Sequence, residues 1–290
     1  MIKQTPHRLR DCRFFVSVSA FSLRSGFIRG FAKAAALVLS PLFAFSQSAG
    51  IPLHAPGYHI LDRLDVMSGV ASPIHPELKF AYRQDAAAYA VAVDSLSTRL
   101  TWRDYADLQY VFDDNSEFIA DSGRFCRQHD KRLLRVFYKT PAHLFAVDAD
   151  GFKLRVNPMF NFQIGQQQDD SELLFLNQRG LEARGSVDGK VFFYTNVVET
   201  QARFPDYVTG RVEAFKAIPY AGNFKRYQPR VLDITNAYDF NQATAYLSFQ
   251  ATKHIGIQLG HGKHFIGNGY RSMFLSDFSN YAFYLKLNTR

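Results

Sequence analysis

The sequence predicts a mainly β protein: an antiparallel transmembrane β-barrel, present in part as about seven or eight strands, behind a small helical segment. Three observations carry this. Long segments in the second half alternate apolar and polar residues with period two. Phe and Tyr number 28 and 15 against one Trp, and both favour strands. The N-terminus reads as an export leader.

The leader comes first in the chain. Lys3, Arg8, Arg10, Arg13, Arg24, Arg29 and Lys33 face a single Asp11. The apolar run Ala34–Phe45 follows, too short to span a bilayer comfortably as a helix. Small residues Ala44 and Ser46 place a cut before Gln47, so 1–46 is predicted to be a signal peptide. Its basic region is long, which puts the expected start of translation downstream of Met1. Removing 1–46 takes seven of the 34 basic groups and one of the 26 acidic ones. The remainder is nearly neutral, so the basic pI belongs to the leader and gives no argument for nucleic-acid binding. Cys12 leaves with the leader, and Cys126 has no partner within the chain for a disulfide.

Residues 47–130 are expected to be a helical periplasmic segment, opening on a Pro/Gly-containing lead-in to residue 57. Tyr58, Leu61, Leu64 and Met67 form one stripe, and Gly69 is a stop signal. Gln84–Leu96 is apolar nearly all round, as a helix buried among others would be. Trp102, Tyr105, Leu108 and Phe112 form a third stripe, ending at Asp113–Ser116.

Residues 131–290 are expected to be the N-terminal part of the barrel. In Phe152–Ile164 the Phe, Leu, Val and Ile residues share one face, and Lys153, Arg155, Asn157, Asn161 and Gln163 the other. Pro158 cannot donate to a ladder, so a bulge or bend is expected there. Leu173–Arg184, Val191–Arg203, Gln242–Thr252 and Tyr281–Leu287 are further strands. Asp148–Gly151, Gln166–Asp170 and Ser186–Gly189 read as turns. These strands are long for a soluble sheet and suffice to cross a bilayer. A wet Lys/Arg/Asn/Gln face against a Phe/Leu/Ile face suits water inside and outer-membrane lipid outside. The long connections Phe204–Asp239 and Gly262–Asn280 should lie outside the cell. Counting from a periplasmic start does not bring both there, so one strand boundary is misplaced.

Gly260–Asp277 (GHGKHFIGNGYRSMFLSD) carries the chemistry-bearing residues. It lacks the third glycine of a dinucleotide fingerprint and has Asn268 where a phosphate loop needs Lys, so no cofactor is expected. His261 and His264 lack further His or Cys ligands, so no metal is expected. Ile255, Ile257 and Leu259 alternate with Gly256, Gln258, Gly260 and Gly262. A face without Cβ atoms lets its own loop fold back against it, with positive φ permitted at Gly267 and Gly269. Lys263, His264, Tyr270, Arg271 and Asp277 would then line a polar surface. An aromatic face with forked donors and a carboxylate suits sugar recognition; internal hydrogen bonding of a folded-in loop is the alternative. A hydrolase using Ser276, His264 and Asp277, and a passive porin, remain as competing readings.

Gly267–Asp277 followed by Leu285–Arg290 resembles the signature of the Wzi-type capsule assembly proteins. The longer Gly260–Asp277 run resembles their RemB-like gliding-motility relatives more closely. Tyr58–Arg63, Asp114–Glu117, Asn177–Gly185 and Asn196–Val208 are similar to segments of the same proteins. The resemblance implies an outer-membrane barrel with a small helical element on its periplasmic side. It also implies non-catalytic binding of surface polysaccharide, in capsule assembly or attachment or in gliding, with other surface-assembly or gliding components as possible partners. A proline common before the last strand of the signature is absent; Tyr281-Ala282-Phe283 stands there. Family members continue well beyond this point, so the chain is expected to be a C-terminally truncated fragment holding about half of the barrel's strands.

Overall fold

A computed structural model describes residues 48–289 apart from 54, 76, 98, 121–124, 128–135, 169, 229–234, 253, 268 and 270. The predicted leader therefore lies outside the described residues.

The N-terminal part is helical, as expected. Helices α1 (Gly57–Ser68), α2 (Arg83–Leu96) and α3 (Trp102–Asp114) bury Leu61, Leu64, Ala86, Ala90, Val93, Leu108, Val111 and Phe112 in one cluster. α1 stops at Gly69 in the left-handed conformation. A capping box between Thr101 and Asp104 fixes the start of α3. It also corrects the third stripe. Asp104, fully buried and paired with Arg63 at 2.8 Å, turns inward with Leu108, Val111 and Phe112. Trp102 and Tyr105 face outward instead. Met67 is likewise exposed, beyond the reach of the α1 stripe.

Among the described residues, nine strands form one antiparallel sheet. Along it run β2 (Phe137–Thr140), β3 (His143–Ala149), β4 (Phe152–Gly165), β5 (Leu174–Val187) and β6 (Val191–Arg203), followed by β8 (Ala237–Gln250), β9 (Ile255–Gly262) and β11 (Ala282–Thr289). The short β7 (Lys225–Tyr227) pairs with the start of β8. A separate pair joins β1 (Leu78–Lys79) to β10 (Phe265–Ile266). The large sheet is not closed as a barrel; β2 and β11 are its edges.

Pro158 makes no bulge against β5, for the register runs unbroken from Asn157↔Glu182 through Pro158↔Leu181 to Met159↔Gly180. β3 pairs with β4 only as far as Val156, so the proline sits where β4 has lost its other neighbour. Asp188 and Gly189 both have positive φ, 52° and 60°, with Lys190 N–H donating to the Val187 carbonyl. This handedness matches strand twist and closes β5–β6 tightly.

Strand directions resolve the counting problem. With β2 and β3 both preceding β4, a chain that enters β2 at one end of the sheet reaches both long connections at the opposite end. The turns at Asp150-Gly151, Asp188–Lys190 and residues 251–254 then share one end of the sheet. Residues 166–173, 204–236 and 263–281 share the other. The connection after β6 holds a helix that the sequence reading left out, α4 (Asp206–Phe215).

The two faces differ in kind. Registers place Phe160, Phe162, Ile164, Leu181, Val197, Leu247, Leu259, Phe283 and Leu285 on one face. These side chains are exposed; Phe160 is 79%, Phe283 72% and Leu259 59% accessible. The opposite face carries Arg155, Arg184, Glu182, Tyr194, Tyr246, Gln258, Tyr284, Lys286 and Asn288. The helical segment packs there, in the half nearer the short turns. In the other half Val208, Val212 and Ile218 cover Ala202, Tyr238 and Phe240. A soluble sheet would bury its apolar face and wet the polar one; this sheet does the reverse.

Candidate functional site: a folded-in loop and a buried ion-pair hub

The predicted glycine face forms as expected, but the neighbour that needs it differs. Gly256, Gly260 and Gly262 lie on the covered face of β9, opposite Gln250, Tyr246 and, in β11, Asn288, Tyr284 and Ala282. A Cβ on Gly260 would meet the Cβ of Tyr246 and the carbonyl of Ala245, so the adjoining strand itself requires the bare position. Tyr246 stacks on Tyr194 at 5.1 Å, and Phe80 of the helical segment meets Tyr246 edge-on at 5.5 Å. The loop after β9 turns inward and pairs its β10 with β1 of the helical segment. Gly267 has positive φ (137°), as that fold-back requires.

Four of the five predicted sugar-contacting residues can be placed; Tyr270 lies outside the described residues. Arg271 Nη1 donates to both oxygens of Asp277 at 3.1 Å, and its Nη2 donates to the Tyr220 hydroxyl at 2.7 Å. Ser276 donates its hydroxyl to Asp277 at 2.9 Å. Lys263 donates to the carbonyls of Tyr220 and Asp277, and its ammonium lies 4.4 Å from the Tyr281 ring centre. Burial lowers the Lys263 pKa to about 8, against the opposing pull of Asp277. So Lys263, Arg271 and Asp277 do converge, together with Tyr220, which the sequence reading missed because it sits in a distant connection with no local signal. Most of their hydrogen-bonding capacity is spent on one another, the folded-in alternative. His264 stands apart. It is buried edge-on against Tyr284 at 4.2 Å, and burial, then Lys286, lowers its pKa to about 3. The Ser276 hydroxyl is turned to a carboxylate rather than an imidazole, which lends no support to the hydrolase reading. Among the described residues no group of three or more His, Cys, Asp or Glu could hold a metal.

A second cluster is more deeply buried. Arg184, on the covered face of β5, is only 1% exposed. Its Nε donates to Glu117 at 2.9 Å and its Nη1 to Glu182 at 3.1 Å; Nη2 reaches the Asp114 carbonyl. Arg83, at the start of α2, donates to Asp114 at 2.7 Å and to Asn115 at 3.1 Å. Lys153 Nζ donates to the Glu117 carbonyl at 2.6 Å, and Arg155 bridges to Asp148 at 2.7 Å. Thus the end of α3 and the 3-10 turn Ser116–Phe118 are pinned to β4 and β5 by charge. Burial alone would raise the Glu117 carboxyl; Arg184, Arg83 and Arg155 outweigh it and hold it at about 2. Burial opposes Asp114 too, and Arg83 and Arg184 carry it below the usual carboxylate range. Around the hub, Gly50 N–H donates to the Tyr246 hydroxyl at 2.8 Å, Asn288 to the Tyr82 hydroxyl at 2.7 Å, and Lys286 sits 4.1 Å over Phe80. Asp114, Glu117 and Arg184 fall inside segments that carried the family resemblance. Spacing could not show their pairing, because Glu117 and Arg184 lie 67 residues apart.

No helix among the described residues is long and apolar enough to cross a membrane, which says nothing of strands. No protein-family model, curated protein or solved structure matches the chain.

Proposed function

We propose that the chain is an outer-membrane β-barrel protein of the Wzi/RemB type that attaches or assembles surface polysaccharide, or serves gliding, without catalysis. The observation that carries this reading is the exposed apolar face of the sheet opposite a polar face already covered by protein. Burying Phe, Leu and Ile side chains is worth roughly 1.5–3 kcal/mol each. Leaving so many in water would be costly, whereas hydrocarbon accepts them. The short turns at one end and long connections at the other match the periplasmic and outer ends of such barrels. On that orientation the helical segment lies on the periplasmic side, where the resemblance puts it. The loop cluster of Lys263, Tyr220, Arg271 and Asp277 lies at the outer end.

The passive-porin alternative gains nothing from this arrangement, since the helical segment and α4 both stand over the face that would line a channel. Membrane fractionation with heat-dependent gel migration tests the proposal. The expected result is recovery with outer membranes and a mobility shift on boiling. Recovery in the soluble periplasmic fraction would overturn it.

A further inference from the structure

Two charged side chains of the hub each keep one atom without a hydrogen-bond partner among the described residues: Arg155 its Nε, Glu117 its Oε2. Both side chains are more than nine-tenths buried, and the two atoms lie 3.9 Å apart, too far for a direct hydrogen bond. Neither side chain is free to close the gap. Arg155 Nη1 donates to the Val147 and Leu154 carbonyls at 3.1 Å each, and its Nη2 donates to Asp148 at 2.7 Å. Glu117 Oε1 is held by Arg184 Nε at 2.9 Å, and the Glu117 carbonyl by Lys153 at 2.6 Å. A buried donor or acceptor left in this way carries its full desolvation cost.

The same two side chains line a cavity of about 10 Å³, the room that one water needs. Of the buried polar atoms without a partner among the described residues, only these two belong to side chains that line it. Its floor is the covered face of the sheet. Register sets Lys153, Ser186 and Phe192 in one row there, and Arg155 and Arg184 in the next. Its roof comes from the helical segment, as Ala49, Glu117 and Phe118, with the Phe118 ring 5.9 Å from that of Phe192. A small void with only apolar walls stays dry; one that borders an unpaired donor and an unpaired acceptor has the polar partners a buried water requires.

We infer that this cavity is the binding site of one structural water, which accepts from Arg155 Nε and donates to Glu117 Oε2, with the Ser186 hydroxyl as third partner. At about 2.8 Å from each charged atom, a water spans the gap that the side chains cannot close. Charge selects water over an ion. Arg83, Lys153, Arg155 and Arg184 stand with Asp114, Glu117, Asp148 and Glu182, four against four, so the hub is balanced. An anion in the cavity would meet Glu117, and a cation would meet Arg155. The water therefore lies in the seam between the helical segment and the sheet, and makes their contact wet where it is most charged. The inference is independent of the membrane and polysaccharide readings.

A crystal structure of the full chain in detergent, grown in bromide and resolving ordered solvent, tests this. One water peak within hydrogen-bond distance of both Arg155 Nε and Glu117 Oε2 is expected. A dry cavity, direct contact between the two side chains, or an anomalous bromide signal at that position would each overturn the site. Hydrogen exchange in solution gives a second test through Ala49→Val, whose added methyls enter the cavity. Displacing a water that they cannot replace should accelerate exchange across Ser116–Phe118 roughly tenfold. In a dry cavity the same methyls would improve packing, so unchanged or slower exchange would contradict the inference. Ala49→Thr has the shape of the valine variant and a hydroxyl that can take over bonds from the water. Its exchange should fall back towards that of the parent protein; equal acceleration in both variants would mean crowding and would count against the site.

Discussion

The two faces of the sheet are made by the same strands, residue by alternate residue, yet they solve opposite problems. One presents Phe160, Phe162, Leu181, Leu259 and Phe283 with nothing packed over them. The other presents Arg155, Arg184, Glu182 and Lys286 and is the face that protein covers. Ordinary hydrophobic logic would cover the first and wet the second. On the proposed membrane reading, the inversion follows from the polarity of what surrounds each face. The covered face is joined to its helical segment by ion pairs and tyrosine hydroxyls. Such contacts fix position well and contribute little net stability, because buried charges first lose their water.

The largest expected effect breaks the covered face. Arg184→Ala leaves Glu117 buried without its nearest guanidinium, and removing one partner of a buried pair costs about 3–5 kcal/mol. Hydrogen exchange across Trp102–Phe118 should accelerate strongly while β5 and β6 stay protected. Protection of α3 equal to that of the parent protein would mean that the hub does not hold the segment.

A charge on the bare face should come next. Leu181→Arg, set into lipid, is expected to cost about 2–4 kcal/mol near the bilayer midplane. Equilibrium unfolding from vesicles measures it, and no change would argue that the face meets water.

Acid should loosen the hub more gradually. Glu117 and Asp114 have folded pKa values below their unfolded ones, so the stabilisation they supply is fully present above about pH 4.5 and is lost as pH falls towards 2. Exchange in α3 should be flat from pH 7 to 5, after correction for intrinsic rates, and rise below pH 4. A rise centred near pH 6 would point to other groups. The smallest effect belongs to an ion pair set within the bare face. Arg179, level with Phe160, pairs with Glu199 at 3.0 Å. Replacing both by Leu, which leaves no unpaired charge behind, should leave the unfolding midpoint close to where it is.

Much of this contrast is legible in the sequence, because period two is a local signal. Val191–Arg203 forms a strand with the expected bounds, and Phe152–Gly165 runs one residue beyond its expected end. The glycine face of β9 and the stop of α1 at Gly69 are equally local. What is not legible depends on distant partners. Trp102 and Tyr105 share helical spacing with Leu108, but the pairing of Asp104 with Arg63 turns α3 the other way. α4 hides in a connection whose packing comes from Tyr238 and Phe240, more than twenty residues further on. In the loop, Lys263, Arg271 and Asp277 were identifiable as residues that meet; Tyr220, which ties Arg271 and Lys263 together, was not.

Neighbouring cysteines on β4 test the central claim most directly. Phe162 and Gln163 are adjacent and both exposed, one on each face. With Cys126 replaced by Ala, Phe162→Cys and Gln163→Cys variants would be treated in intact membranes with a membrane-impermeant maleimide. Labelling at 163 with none at 162 until the membrane is dissolved and the protein denatured is the predicted result. Equal labelling at both positions in intact membranes would contradict the account.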